Sequence, residues 1–150
     1  LLYALREALK MLHEEGLPNV FRRHDRYAEA TRAAVKTWGL DIVCAEPLEY
    51  SSVMTAVFTP EGHNADALRK VILENYDMSL GAGLGKLAGR AFRIGHLGSF
   101  NDLMLAGVLS GVEMGLSLAG VPHREGGVQA ALKCLAAAPA GAASQSAGVR

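Results

Sequence analysis

The sequence predicts an α+β fold: a mainly antiparallel sheet covered by helices. Two observations carry this. Segments of helical period and segments of strand alternation run in the order helix, helix, strands, helix, strand, loop, strand, helix, which suits an open sheet with helices on one face. The strand-like segments are short and are bounded by Gly or Pro. The 150 residues suffice for one compact domain, and no internal repeat is evident.

Leu2 to Glu15 has leucines at helical spacing and stops at Gly16. Asn19 is the expected cap of a second helix that runs to about Trp38 and ends at Gly39. Arg22, Arg23, Asp25, Arg26, Glu29 and Arg32 form its polar side and read as a solvated face. Asp41 to Cys44 reads as a short strand. Ser52 to Thr59 reads as a second, rich in β-branched residues and closed by Pro60. Asn64 or Asp66 starts a helix through Leu73, and Asp77 to Leu80 reads as a third strand. A glycine-rich loop follows, then a fourth strand over Arg90 to Leu97. Asn101 caps a helix from Asp102 to Leu118, whose Met104, Val108, Gly111 and Gly115 line is slim enough for close helix packing. A last helix spans about Gly127 to Ala137. Residues 138–150 are expected to be a disordered tail rich in Gly, Ala, Ser and Gln.

Composition excludes several classes. Fifteen basic and fifteen acidic residues balance, so no electrostatic pull toward nucleic acid or a membrane surface is visible. The longest apolar stretch, Leu103 to Val121, is interrupted by Glu113 and glycines, and no membrane span is expected. Cys44 and Cys134 lie far apart with no zinc spacing and read as small apolar residues in a reducing compartment. The C-terminal Ala147-Gly148-Val149-Arg150 is no Ser-Lys-Leu address, and the expected location is cytoplasmic. Leu1 opens the sequence already in helical register, with no initiator Met or cap, so the chain reads as a piece of a longer protein.

The segment from Gly81 to Gly98 carries the most chemistry. Strand residues alternate faces, so Phe92 and Ile94 point one way and Arg93 and Gly95 the other. An arginine among apolar and small residues is costly to bury without a partner, and its planar fork suits a carboxylate. Spacing alone leaves two readings of Arg93: a surface ion pair, or a carboxylate clamp at the edge of a cleft. The glycines before it are no nucleotide cradle. Gly-x-Gly-x-x-Gly fails at Lys86 when counted from Gly81 and at Ala88 when counted from Gly83; a phosphate loop fails at Leu80 and Leu87. They form either a mobile wall at a substrate entrance, with Gly83 and Gly85 beside the ligand, or a set of tight turns.

Other chemistry is sparse. His96 reads as a packing or surface residue, and His13, His24, His63 and His123 show no metal-ligand spacing. Ser99, Ser110 and Ser117 lack a nucleophile elbow.

The motif Arg93-Ile94-Gly95-His96-Leu97-Gly98, preceded by Gly81-Ala82-Gly83-Leu84-Gly85, resembles the C-terminal part of class V aminotransferases, pyridoxal-phosphate enzymes of fold type I. The resemblance is to the serine–, alanine– and aspartate–glyoxylate branch. It starts at the leucine-rich stretch from Leu2 to Leu9 and continues through Glu14-Glu15-Gly16-Leu17, Arg22-Arg23-His24, Val53-Met54-Thr55-Ala56-Val57 and Asn75-Tyr76-Asp77-Met78 to about Pro122. It implies the small C-terminal domain of such an enzyme at residues 17–137, with residues 1–16 ending the helical region of the large domain. It implies transfer of an amino group from serine, alanine or aspartate to glyoxylate, giving glycine, in a homodimer. Arg93 would grip the carboxylate of the amino-acid and keto-acid substrates. The lysine that anchors pyridoxal phosphate lies upstream in the family, and Lys10, Lys36, Lys70, Lys86 and Lys133 do not match its setting. The chain by itself is therefore expected to be inactive. Two other readings stand beside this one: another class V activity such as a desulfurase or lyase, and a non-enzymatic module that binds a small acid or mediates assembly.

Overall fold

A computed structural model describes residues 1–137 of the chain; the expected tail at 138–150 lies outside the described residues. The fold is α+β, and the described residues form a three-stranded antiparallel sheet and five α-helices. They are α1 (Leu2–Glu15), α2 (Leu17–Trp38), β1 (Met54–Phe58), α3 (Ala65–Tyr76), β2 (Gly81–Ala82), β3 (Ala91–Gly95), α4 (Asp102–Leu118) and α5 (Gly127–Ala136). The strand order is β1-β3-β2, so β3 is central. Its register sets Ala56 opposite Arg93 on one side and Gly81 opposite Arg93 on the other.

The core lies on one face of the sheet. Val57, Phe92 and Ile94 are fully buried there against Val35 and Trp38 of α2, Leu68 and Ile72 of α3, and the apolar stripe of α4. Burying a side chain such as Phe92 contributes roughly 2–3 kcal/mol. Two glycines let α4 come close: a methyl at Gly115 would meet Ile72 Cγ1 at 2.2 Å, and one at Gly111 would meet Met78 Cε at 2.7 Å. Met104, at the start of the expected slim line, is instead exposed. None of the residues of α1 is buried, and Leu2, Leu5 and Leu9 of its leucine stripe face outward.

Asn64 and Asn101 cap their helices as expected, through side-chain oxygens that accept from Asp66 and Ala67 N–H and from Met104 N–H. Four expectations are corrected. Asn19 lies inside α2, because the helix starts at Leu17 with Pro18, which needs no hydrogen-bonded N–H, in its first turn; Asn19 donates instead to the Glu15 carbonyl at 2.7 Å. Asp41 to Cys44 forms only a bridge, Ile42 to Val57, at the edge of β1. The strand expected at Asp77 to Leu80 falls at Gly81–Ala82, since Asp77 takes a left-handed conformation (φ 50°) to end α3.

The polar side of α2 is the fourth. Arg23, Arg26 and Arg32 are half-buried rather than solvated. Arg23 pairs with Glu15 at 2.6 Å and reaches the carbonyls of Gly98 and Phe100. Arg26 forks onto Asp102 of α4 and the Leu135 carbonyl of α5. Partners on other elements draw these side chains down from solvent.

Glu113 of α4 closes the other end of the molecule. Its two carboxylate oxygens accept the N–H groups of Gly126 and Val128, both at 2.8 Å, at the start of α5. Burial alone would raise this carboxyl, but the Trp38 indole beside it and the two backbone donors hold it below its ordinary value. A carboxyl that titrates lower folded than unfolded adds stability that is full above the unfolded value and is lost as pH falls through the native one. Glu113→Ala is expected to cost about 1–2 kcal/mol at neutral pH, with the gap to wild type closing in acid. Urea unfolding across that range measures it; a gap that does not change with pH would remove the carboxylate from the account.

Candidate functional site

The sheet face opposite the core carries a cleft of about 410 Å³. Its floor is Met54 and Ala56 of β1 with Ala91 and Arg93 of β3, the outward members of the two alternations. One wall is Ile42, Val43 and Cys44; the other is Gly83, Leu84 and Leu87 of the glycine segment. Glu49, Tyr50 and Ser51 close one end together with Arg32. The lining is mainly apolar, and it has two guanidinium groups.

Arg93 is half-buried. Its Nε–H donates to the Ala82 carbonyl at 2.8 Å, and Nη1 lies 3.9 Å from Met54 Sδ. Among the described residues no carboxylate stands within salt-bridge distance of it, whereas Arg23, Arg26 and Arg69 each have one. Beyond Met54 Sδ, the Nη groups have no hydrogen-bond partner among the described residues. The opposing residue on β1 is Ala56, small enough to leave that side open.

Gly83 is buried in the cleft wall, with its N–H on the Ala91 carbonyl at 2.9 Å. Gly85 is exposed, has φ 54° and begins the short turn Gly85–Leu87 outside the cleft lining. The glycine segment is thus a tight turn, and of its two glycines only Gly83 borders the cleft.

Arg32 was missed as a cleft residue. Its guanidinium lies over the Tyr50 ring at 5.1 Å and reaches the Ser51 carbonyl at 3.5 Å. A signal was available: Arg32 adjoins the buried stripe of Ala28, Thr31 and Val35 on α2, so its stem borders the core. His96 points into the core, as alternation after Gly95 requires. It is fully buried, its Nε2 sits 3.0 Å from Thr55 Oγ1, and burial, helped by the Arg32 charge, pushes the imidazole down to about 4. A neutral ring facing away from the cleft packs; it does not touch a ligand there.

The lysines at 10, 36, 70, 86 and 133 are all exposed, and none lines the cleft. Among the described residues no cluster of His, Cys, Asp or Glu could hold a metal ion, and no helix is long and apolar enough to cross a membrane. The arrangement can hold a small carboxylate against Arg93 on an apolar floor.

No protein-family model matches the chain. It is 48% identical over 132 residues to a serine–glyoxylate aminotransferase of Methylorubrum extorquens, covering 87% of this chain and 33% of that protein. It is 43% identical to an L-aspartate–glyoxylate aminotransferase of Paracoccus denitrificans, again covering 87% of this chain and 33% of the relative. The ureidoglycine–glyoxylate aminotransferase structure from Bacillus subtilis superposes with a TM-score of 0.83 at 32% identity, over 89% of this chain and 35% of that one. The chain spans about a third of the length of the curated relatives it matches. None of the three supports a desulfurase, a lyase or a non-enzymatic module.

Proposed function

Because the chain belongs to the class V aminotransferases, in the branch of the serine–, alanine– and aspartate–glyoxylate enzymes, we propose that it supplies the carboxylate-holding wall of an enzyme that moves an amino group from an amino acid to glyoxylate. Arg93 is the observation that carries this reading. It is an arginine with no carboxylate among the described residues, fixed through Nε, with its Nη groups on an apolar cleft. Amino donor and glyoxylate share only the carboxylate next to the reacting carbon, so one fork serves both halves of the reaction. Two parallel bonds fix the plane of the carboxylate and thereby the direction of the reacting carbon. The apolar floor and the wall of Gly83, Leu84 and Leu87 exclude water from that contact and strengthen it.

Pyridoxal phosphate, when bound, supplies the electron sink for proton movement at the amino-acid carbon. The residues described here do not fit as its holder, because the cleft contains no lysine for the covalent anchor. We assign that role to the part of the family's length that this chain does not span. On this reading residues 17–137 are the small domain, residues 1–16 finish a helical stretch of the large one, and the working unit is a homodimer. The exposure of Leu2, Leu5 and Leu9 on α1 supports the division, since the described residues leave most of its leucine stripe uncovered.

Two experiments test the proposal. The full-length protein is expected to form glycine from glyoxylate with serine, alanine or aspartate as donor; no glycine with any of the three rejects the assignment. The 150-residue chain alone, incubated with pyridoxal phosphate and reduced with borohydride, is expected to show no stoichiometric label on one lysine and no turnover. A single labelled lysine with turnover would place the anchor within this chain.

A further inference from the structure

The guanidinium of Arg93 is aimed from behind by the shortest element of the fold. The β2 register sets Gly81 beside Arg93. Paired residues on neighbouring strands share a face, and Gly81 contributes no side chain to it. The stem of Arg93 fills the space: a methyl built on Gly81 would stand 3.0 Å from both Cβ and Nε of Arg93 and 3.4 Å from Cζ. The side chain therefore lies across β2, where Nε meets the Ala82 carbonyl at 2.8 Å. That single bond sets the plane of the fork, because the guanidinium is flat and rigid.

A two-residue strand does not hold its own place, and β2 is tied at both ends. Upstream, Arg69 of α3 donates Nε to the Leu80 carbonyl at 2.8 Å while its Nη1 pairs with Asp66 at 2.8 Å. Downstream, the Gly83 N–H bonds the Ala91 carbonyl at 2.9 Å. Arg69 lies outside the cleft lining and yet fixes the strand that aims the clamp.

We infer that Gly81, the Ala82 carbonyl and Arg69 are positioning residues for the Arg93 carboxylate clamp, acting on the direction of its fork. The inference rests on the reading of Arg93 as that clamp. Gly81→Ala pushes the stem off β2 and breaks the Nε bond; Arg69→Met frees the Leu80 carbonyl and lets β2 shift.

The test uses the full-length protein and steady-state kinetics with amino donor and glyoxylate. Gly81→Ala is expected to raise KM for both about tenfold with kcat changed less than about threefold, and Arg69→Met to raise both about threefold. The cofactor absorbance stays as in wild type. A double-mutant cycle separates aiming from general damage: in an Arg93→Lys background, which has no Nε–H to aim, Gly81→Ala adds less than about a twofold effect. An equal cost in the two backgrounds, or unchanged KM values for Gly81→Ala and Arg69→Met, overturns the inference and leaves the clamp standing. An Arg93→Ala variant measured alongside, if it keeps wild-type efficiency, removes the clamp and the inference together. Should Gly81→Ala not fold, Arg69→Met alone decides, measured in both the wild-type and Arg93→Lys backgrounds.

Discussion

Replacing Arg93 by alanine in the full-length enzyme is expected to lower kcat/KM for both the amino donor and glyoxylate by about two to three orders of magnitude. A charged two-point contact in a partly dry cleft is worth roughly 2–4 kcal/mol when one partner is removed, and that energy converts directly into the ratio of efficiencies. Both substrates suffer because they present the same group to the same fork. Arg93→Lys recovers only part of the loss. An ammonium cannot form two parallel bonds, nor can it keep the Nε bond to Ala82 that orients the arginine. The cofactor absorbance is expected to stay intact, since nothing in this cleft anchors the cofactor. Near wild-type efficiency for both substrates would make Arg93 a structural residue and remove the main support for the proposed function.

Gly83→Ala is expected to do comparable damage by another route. A methyl there would stand 2.1 Å from the Leu87 carbonyl oxygen, 2.7 Å from its carbon and 2.9 Å from the Ala91 oxygen. All three are backbone atoms, so no side chain can move aside. The Gly85–Leu87 turn and the start of β3 would have to shift, and the cleft wall with them. A loss of about 3 kcal/mol or more follows, at the upper end for overpacking. Two glycines calibrate this. Gly85 has open space around it but φ 54°, so Gly85→Ala costs about 1 kcal/mol through backbone strain alone. Gly107, helical and open, gains up to about 1 kcal/mol as alanine. Urea unfolding of the three variants orders them. A Gly83→Ala protein as stable as wild type would mean that the wall adjusts freely and is no fixed part of the cleft.

Much of the molecule was legible because its signals are local. Helix α4 could be read to the residue, since Asn101 offers its cap oxygen to the chain next to it. The outward direction of Arg93 followed from strand alternation and the burial of Phe92 and Ile94. The carboxylate-binding role proposed for Arg93 rests on the family resemblance and not on the alternation. The failures share a cause. β2 consists of Gly81 and Ala82, with almost no side chain to show a period, so only its ladder to β3 defines it. Arg23 and Arg26 of α2 looked solvated because their partners, Glu15, Asp102 and the carbonyls of Gly98, Phe100 and Leu135, sit on other elements.

What the sequence by itself determined is therefore the five helices, the two longer strands and the face on which Arg93 lies. These depend on propensity, capping and period, which act within a few residues of chain. Only the tertiary structure decided how that residue is used. It turned Arg93 across Gly81 onto the Ala82 carbonyl, tied β2 to α3 through Arg69 and brought Arg32 to the same cleft. Each depends on the meeting of segments distant in the chain, and no local pattern encodes the direction in which a long side chain lies once a neighbouring strand has arrived.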